Sequence, residues 1–472
     1  MSTTPSAPQE GQMMPTTQCR ACGTDVPAGA FCGCCGAHLF QESGGGLKRS
    51  RIRAFAVAPT EHVLRLSVVT SLFPHLPHRS RAAFRVGLAI LVALLVVLGL
   101  LRWQAALIAV STLGFPLLFQ LYLQECDAYG DVRTRTLLPA AVIGIGLGVG
   151  WALLTGPIVA RSDVAMLGAA GWTRVLWVGL AIPLGGAMLM LVPAVIARVF
   201  RPPTRESLDG FLVGALGAIV FTAAANLTRL APQLATGLMA KDRPVGGLLV
   251  EAGIDGVAMP LTAAAAGGLV GAALWLTRGG DPPRRRPELV AAGLAVAVVV
   301  VVYAGVGLID VAALAPGLQL GLHLLIAAFA VLVLRFGLHT ALLREAREVT
   351  RGEPVSCPHC RHVVPEMAFC PSCGVAARAS SRSARTARRE SAAVPIDAAA
   401  KDSGSAAAAR TLLPGYVVPA AAYAVPVGRH TSAPRLLVML GVALAILVAV
   451  TVGISALVTP APVRHVCPPY CV

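Results

Sequence analysis

The stretch DGFLVGALGAIVFTAAANLTRL, residues 209–230, decides how this chain folds. It is apolar over about six helical turns, begins with an acid and carries glycines at 210, 214 and 217. Small residues at this spacing let two membrane helices approach closely. We therefore expect a membrane-spanning helix whose glycines pack against a neighbouring helix.

The whole chain shares this apolar character. Its 472 residues are 56% hydrophobic and 13% charged, whereas soluble proteins carry about 25% charged residues. Such a chain cannot cover a soluble surface with polar groups, so its composition indicates a membrane protein. The polar start MSTTPSAPQEGQMM has no apolar core, and we expect no cleaved signal peptide there.

About nine stretches are long and apolar enough to cross a bilayer as helices. They are residues 82–101, 104–123, 137–155, 175–199, 209–229, 256–277, 288–308, 318–336 and 435–458. The sequence thus predicts an all-α multi-pass membrane protein with two small metal-binding modules, described below, and disordered linkers.

Basic residues set the expected orientation. They concentrate before the first span, in RGGDPPRRRPE between spans six and seven, and after the eighth span. With nine spans these three segments share one side, which the positive-inside rule assigns to the cytoplasm. We expect a bacterial plasma-membrane protein with a cytoplasmic amino terminus. No aromatic residues interleave the arginines for base stacking, so the favoured partner of these runs is anionic lipid and not nucleic acid.

Two cysteine clusters carry the most specific pattern in the chain. CRACGTDVPAGAFCGCCG and CPHCRHVVPEMAFCPSCG both read C-x2-C-x9-C-x2-C, with Ala-Phe before the third cysteine and Gly after the fourth. Two such knuckles complete a tetrahedral Zn²⁺ site that is closed to water and therefore structural. Metal binding supplies the folding energy of segments this short. The predicted ligands at the two zinc sites are Cys19, Cys22, Cys32, Cys35, Cys357, Cys360, Cys370 and Cys373.

Other cysteine chemistry stays open beside zinc: a disulfide, an iron–sulfur cluster or a redox dithiol. Cytoplasmic placement disfavours disulfides. We treat Cys34 as a non-ligand and Cys126 as a packed thiol. Cys467 and Cys471 lie in the tail expected outside the cell, where they form a disulfide or remain reduced thiols.

These patterns divide the chain into nine segments. In order they are a disordered start (1–15), a zinc ribbon (16–40), a basic linker (41–81), the eight-helix membrane domain (82–340), a connector (341–352), a second ribbon (353–375), a disordered Ala/Ser/Arg linker (376–434), a final helix (435–458) and an outer tail (459–472).

Five residues of the opening stretch match a motif helix of the PrsW-type intramembrane metalloproteases: Asp209, Gly210, Gly214, Gly217 and Asn226. That motif begins Asp-Gly, continues with spaced glycines and ends in a Glu-Asn pair. Residues 82–340 resemble this family, most closely in this helix. The resemblance implies a PrsW-like helical fold and, in an active member, a hydrolytic metal held by carboxylates and imidazoles.

The chain departs from the family where the metal would be held and activated. Ala225 stands at the position of the motif's glutamate, and the preceding helix ends LVPAVIARVF without a carboxylate. The following helix lacks a histidine, and His323 alone matches a later one. Since a catalytic zinc site usually has three protein ligands, we predict that the fold is kept and that no residue is catalytic.

Glu251 and Asp255 stand four apart and share a face if they lie on a helix. With His323 they would form a weak cation or proton site, because ionisable groups at membrane depth are functional candidates. The alternative, which we favour, places both acids in solvent at the outer end of span six.

The favoured prediction is a non-catalytic membrane protein in protein interaction or regulation, with its protein partner bound at the cytoplasmic ribbons. An active PrsW-type protease with altered ligands is the first alternative, and a transporter is the second. The residues specify neither the partner or substrate nor the oligomeric state.

Overall fold

The computed structural model describes most of the chain between residues 16 and 458. The described ranges are 16–40, 54–77, 80–132, 134–164, 171–200, 206–234, 243–276, 286–312, 314–346, 354–386 without 358, 361, 383 and 384, 410–418 without 414 and 415, and 433–458. Predictions for 1–15, for most of 376–434 and for the tail with Cys467 and Cys471 lie outside these residues.

The chain forms two compact units. The first, which we call the ribbon unit, contains Met1–Arg65 and Leu342–His430, and the membrane unit contains Leu66–Ala341 and Thr431–Val472. The ribbon unit therefore draws on chain segments from both sides of the membrane-spanning region.

Helices make up the membrane unit. They are α1 (Val68–Leu72), α2 (Ser80–Leu100), α3 (Gln104–Glu125), α4 (Ala128–Asp131), α5 (Thr134–Val164), α6 (Gly171–Arg174, Val175–Ala181 and Ile182–Val199, continuous), α7 (Ser207–Leu234), α8 (Val245–Gly253, Ile254–Ala258 and Met259–Trp275, continuous), α9 (Arg286–Val311), α10 (Pro316–Glu345) and α11 (Ala433–Val458). Among the described residues, eight are long and apolar enough to span a membrane. This confirms the prediction of an all-α multi-pass protein. The helix α11 occupies the ninth predicted span and packs against α2 and α3.

Two spans contain a π-helical segment, Val175–Ala181 in α6 and Ile254–Ala258 in α8. Each lies just before a proline, Pro183 or Pro260. Proline has no N–H to donate and its ring crowds the carbonyl four residues earlier. A π-turn is one way in which a continuous helix accommodates such a break.

The start of α8 differs from the sequence prediction. The prediction placed this span at 256–277, whereas the helix begins at Val245. Glu251 and Asp255 therefore lie within a helix of 31 residues, and Asp255, which the favoured alternative placed in solvent, is only partly exposed. That residue lies ten positions, about 15 Å along the axis, from the start of the helix.

The helix α7, which contains the opening stretch, lies at the centre of the bundle. It contacts α3, α5, α6 and α8, and every residue from Ser207 to Ile219 is buried. The outer helices instead expose large apolar side chains, such as Leu153 on α5, Leu294 on α9 and Leu325 on α10. This arrangement presents an apolar surface suited to lipid.

Glycines determine how closely α7 approaches its neighbours. A Cβ atom at Gly214 would overlap the Gly267 carbonyl of α8, and one at Gly210 would overlap the carbonyl of Gly271. On another side of α7, a Cβ at Gly144 of α5 would lie 2.8 Å from the Gly217 carbonyl oxygen. Glycines thus bring the backbone of α7 into close contact with the backbone of α8 on one side and of α5 on another.

Part of the predicted basic linker 41–81 is folded. Strands β3 (Ala54–Phe55) and β4 (Ala58–His62) form a hairpin in which Phe55 and Val57 are fully buried. In the membrane unit, the wholly buried Arg335 of α10 donates from Nη1 to Thr70 Oγ1 of α1 at 2.7 Å. The linker prediction had expected neither the buried run AFAVAP of the ribbon unit nor the helix α1 of the membrane unit.

We predict that Gly214→Ala destabilises the protein by about 1–3 kcal/mol, because the new methyl group overfills the contact between α7 and α8. Thermal unfolding in detergent, followed by tryptophan fluorescence, measures the effect. The matched control is Gly146→Ala on α5, where a Cβ meets no atom within 4 Å. It should unfold at or slightly above the wild-type temperature, since alanine favours helix by about 1 kcal/mol over glycine. Equal shifts for both variants would refute the packing argument.

Candidate metal centres

Each ribbon consists of a two-stranded hairpin and two cysteine knuckles. In the first ribbon, strands β1 (Thr16–Gln18) and β2 (Asp25–Pro27) pair antiparallel. Gly23 donates its N–H to the Cys19 carbonyl at 2.7 Å and adopts φ +73, a left-handed conformation that glycine tolerates. This turn returns the chain so that the two thiols of the knuckle face one point.

The second knuckle and the second ribbon repeat this geometry. Gly36 donates to the Cys32 carbonyl at 2.8 Å with φ +72, and Gly374 donates to the Cys370 carbonyl at 2.8 Å with φ +76. Strands β5 (Pro354–Ser356) and β6 (Val363–Pro365) form the hairpin of the second ribbon. The glycine that follows the fourth cysteine in both sequence repeats is therefore required by the turn.

The structure brings the eight predicted ligands together as two groups of four sulfurs. Within each group every ligand atom lies within 4.8 Å of the others. The sulfurs of Cys19 and Cys35 are 3.8 Å apart, and those of Cys22 and Cys32 are 3.7 Å apart. In the second ribbon, Cys357 to Cys373 is 3.6 Å and Cys360 to Cys370 is 3.8 Å.

These distances suit a tetrahedral metal. Four Zn–S bonds of about 2.3 Å at tetrahedral angles place the sulfurs about 3.8 Å apart. The separation is far longer than the bond of a disulfide, about 2.05 Å. Both clusters can therefore hold a metal ion without rearrangement, and the donor set of four thiols suits Zn²⁺.

Hydrogen bonds divide the protons unequally among the thiols. The hydrogen bond between Cys32 and Cys35 lowers the pKa of Cys32 to about 5 and raises the pKa of Cys35. In the second ribbon, hydrogen bonds with Cys357 lower the pKa of Cys360 and raise that of Cys370. Each cluster thus already favours a thiolate, the form that binds metal, and a bound cation would release the remaining protons.

Nearby residues that the sequence left as non-ligands lie outside these groups. Cys34 is not a member of the first four-sulfur group. His362 is partly buried, and its Nδ1 lies 2.7 Å from Ser372 Oγ. Cys126 packs at the end of α3, with its sulfur 3.8 Å from the Leu123 carbonyl oxygen.

The two ribbons contact each other within the ribbon unit. Phe31 N–H donates to the Pro371 carbonyl at 2.9 Å, and Phe369 N–H donates to the Gly33 carbonyl at 2.8 Å. Eight candidate spans lie between the two ribbons in the part of the chain that the structure describes.

Inside the membrane unit, the three residues singled out by the sequence have separate partners. Glu251 Oε2 lies 2.7 Å from Arg243 Nη2, and Asp255 Oδ1 accepts from Asn226 Nδ2 at 3.3 Å. The buried His323 places Nε2 3.1 Å from Asp310 Oδ1. Asp255 also interacts electrostatically with Glu251, Asp310 and His323, so these groups share a neighbourhood without converging at ligand distance.

Asp310 and Gln319 are functional-site candidates that sequence reasoning missed. Gln319 donates from Nε2 to Asp310 Oδ1 at 3.3 Å, and its carbonyl oxygen lies 2.9 Å from His323 Nδ1. The sequence offered one signal for them. Asp310 is an acid near the end of the apolar helix α9, and Gln319 and His323 follow it four residues apart on α10. Within the described ranges, the two cysteine groups are the sets of three or more side chains placed to hold a metal.

Comparison with known proteins gives no family for this chain: no family model, no curated protein and no solved structure matches it. The resemblance to PrsW-type proteases therefore rests on the motif helix alone.

We predict two zinc ions per chain in the purified full-length protein, measured by elemental mass spectrometry against protein concentration. Cys22→Ser removes one of four thiolates and should lower the content below two. Cys34→Ser, two residues from Cys32 but outside the sulfur group, should leave it at two. A loss of zinc in Cys34→Ser, or none in Cys22→Ser, would contradict the ligand assignment.

Proposed function

We propose that this chain is a multi-pass plasma-membrane protein that acts by binding other proteins, with cytoplasmic zinc ribbons and a PrsW-like membrane domain that holds no catalytic metal. The observation that carries the proposal is the contrast between two complete four-sulfur groups and a motif helix without its carboxylate. Ala225, at that position, is 5% exposed and offers only a methyl group.

The contacts of the surrounding polar groups support the absence of catalysis. Asn226, the retained partner of the motif pair, donates to Asp255 of α8. His323 is bound between Asp310 and the Gln319 carbonyl. A metalloprotease needs imidazoles or carboxylates that bind a metal and a carboxylate that takes a proton from its bound water. Asn226 and His323 are instead engaged with the side chains of Asp255 and Asp310.

The ribbons support the interaction role. Closed four-sulfur sites are structural and have no open coordination position for a substrate. Phe40, five residues after the last ligand of the first ribbon, is 70% exposed. Exposed aromatic side chains are enriched at protein–protein contacts. A ribbon surface with such an anchor suits a protein partner better than a small-molecule substrate.

Photo-crosslinking in living cells tests the interaction role. A photoreactive amino acid at position 40 should form one or a few discrete protein adducts, which mass spectrometry identifies. The same probe in a Cys22→Ser background should lose these adducts, because the ribbon that positions it no longer folds around zinc. Adducts with lipid alone, or an identical protein adduct in Cys22→Ser, would contradict binding through the folded ribbon.

Reconstitution tests the absence of catalysis. Wild-type protein in liposomes should cleave membrane-spanning model peptides no faster than the variants His323→Ala and Asp255→Asn. Its zinc content should stay at two ions per chain after purification in excess zinc. A third bound metal, together with cleavage that His323→Ala abolishes, would establish the protease alternative instead.

A further inference from the structure

We propose that the two ribbons form one composite metal-binding module within a single chain, in which zinc at either site stabilises zinc at the other. This inference goes beyond the proposed function, because it concerns how the sites are built and not what the protein binds.

The first support is a reciprocal pair of backbone hydrogen bonds. Phe31 and Phe369 each precede the third cysteine of their ribbon, and Gly33 and Pro371 each follow it. Phe31 donates to Pro371, and Phe369 donates to Gly33. Equivalent donors therefore contact equivalent acceptors, which means that the ribbons pair about a pseudo-twofold axis.

The second support is a reciprocal contact between aromatic rings and glycines. A Cβ at Gly36 would lie 2.9 Å from the Phe369 ring, and one at Gly374 would lie 2.7 Å from the Phe31 ring. Each ring thus packs on the glycine that closes the last knuckle of the opposite ribbon. The Ala-Phe and Gly residues common to both sequence repeats hold the two ribbons together as well as shaping each one.

The third support is a shared core. Met367 of the second ribbon is 5% exposed and belongs to the apolar cluster of the first, together with Cys19, Val26 and Cys32. A Cβ at Gly33 would overlap the Met367 side chain. Gly29 occupies the position in the first repeat that Met367 occupies in the second, and a Cβ there would lie 2.7 Å from the Pro371 carbonyl oxygen. The first ribbon therefore completes its core with a side chain supplied by the second.

These contacts connect directly to the ligands. The residues that form the intervening hydrogen bonds are the immediate neighbours of Cys32 and Cys370. A segment of about 25 residues cannot bury a core of its own and folds by binding metal. Loss of one zinc therefore unfolds one ribbon and removes its contacts with the other. Those contacts, made by Phe31, Phe369 and Met367, hold the opposite sulfurs in place.

Zinc release from the full-length protein in detergent tests the coupling. A chromogenic chelator in excess reports the rate, and the variants Cys22→Ser and Cys360→Ser each disable one site. A composite module predicts that the remaining zinc leaves at least tenfold faster than either zinc of the wild type, in both variants. Release at the wild-type rate would show that the ribbons are independent and would overturn the proposal.

An interface variant with all eight ligands intact separates coupling from ligand loss. Gly33→Leu places a bulky side chain against Met367 and should accelerate release from both sites. Arg20→Leu changes an exposed residue of the same ribbon and should release zinc at the wild-type rate. Zinc release from both sites of Gly33→Leu at the wild-type rate would overturn the proposal.

Co-expression of two differently tagged copies tests whether pairing occurs within one chain. The expected result is that affinity purification of one tag does not recover the other through the ribbons. If both tags are recovered together, and Gly33→Leu abolishes this joint recovery, the ribbons pair between two copies. That result would overturn the single-chain part of the proposal.

Discussion

Backbone contact between α7 and α8 is the constraint on which the membrane unit depends. Lipid is as apolar as leucine, so burial of apolar side chains gives helices little reason to associate within a bilayer. Close van der Waals contact has to supply that attraction, and it requires residues without side chains. Gly210 and Gly214 supply it against Gly271 and Gly267, while Gly144 of α5 supplies it against the Gly217 carbonyl. The remaining spans arrange themselves around this central helix and turn their larger apolar side chains outward.

Polar groups inside the bundle follow from the same constraint. A charged or hydrogen-bonding group in a bilayer needs a partner from a neighbouring helix. Asn226 has Asp255, and the buried His323 has the more exposed Asp310. Asn226 of α7 thus makes a contact between helices, a role that requires no neighbouring glutamate.

Sequence reasoning predicted the features that depend on local patterns of residues. Apolar length located the spans, and cysteine spacing selected the residues that the structure groups around two points. It misplaced the start of α8, because VGGLLVEAG combines glycines with Glu251, whose charge lies opposite Arg243. It also missed the hairpin at 54–62, whose strands are too short to show the alternation of apolar and polar residues that is typical of a strand. The pairing of Phe31 with Pro371 could not be predicted, because contacts between distant segments leave no local pattern.

The reciprocal contact between the ribbons has a consequence for biosynthesis. Ribosomes add about 5–20 residues per second, so the residues between Cys35 and Cys357 require roughly 15–65 seconds. Throughout that interval the newly made amino-terminal ribbon lacks Met367 and Phe369, while the translocon inserts the intervening helices. The finished contact forms only after Phe369 and Pro371 have been synthesised. Its assembly therefore follows the synthesis of all eight candidate spans described between the two ribbons.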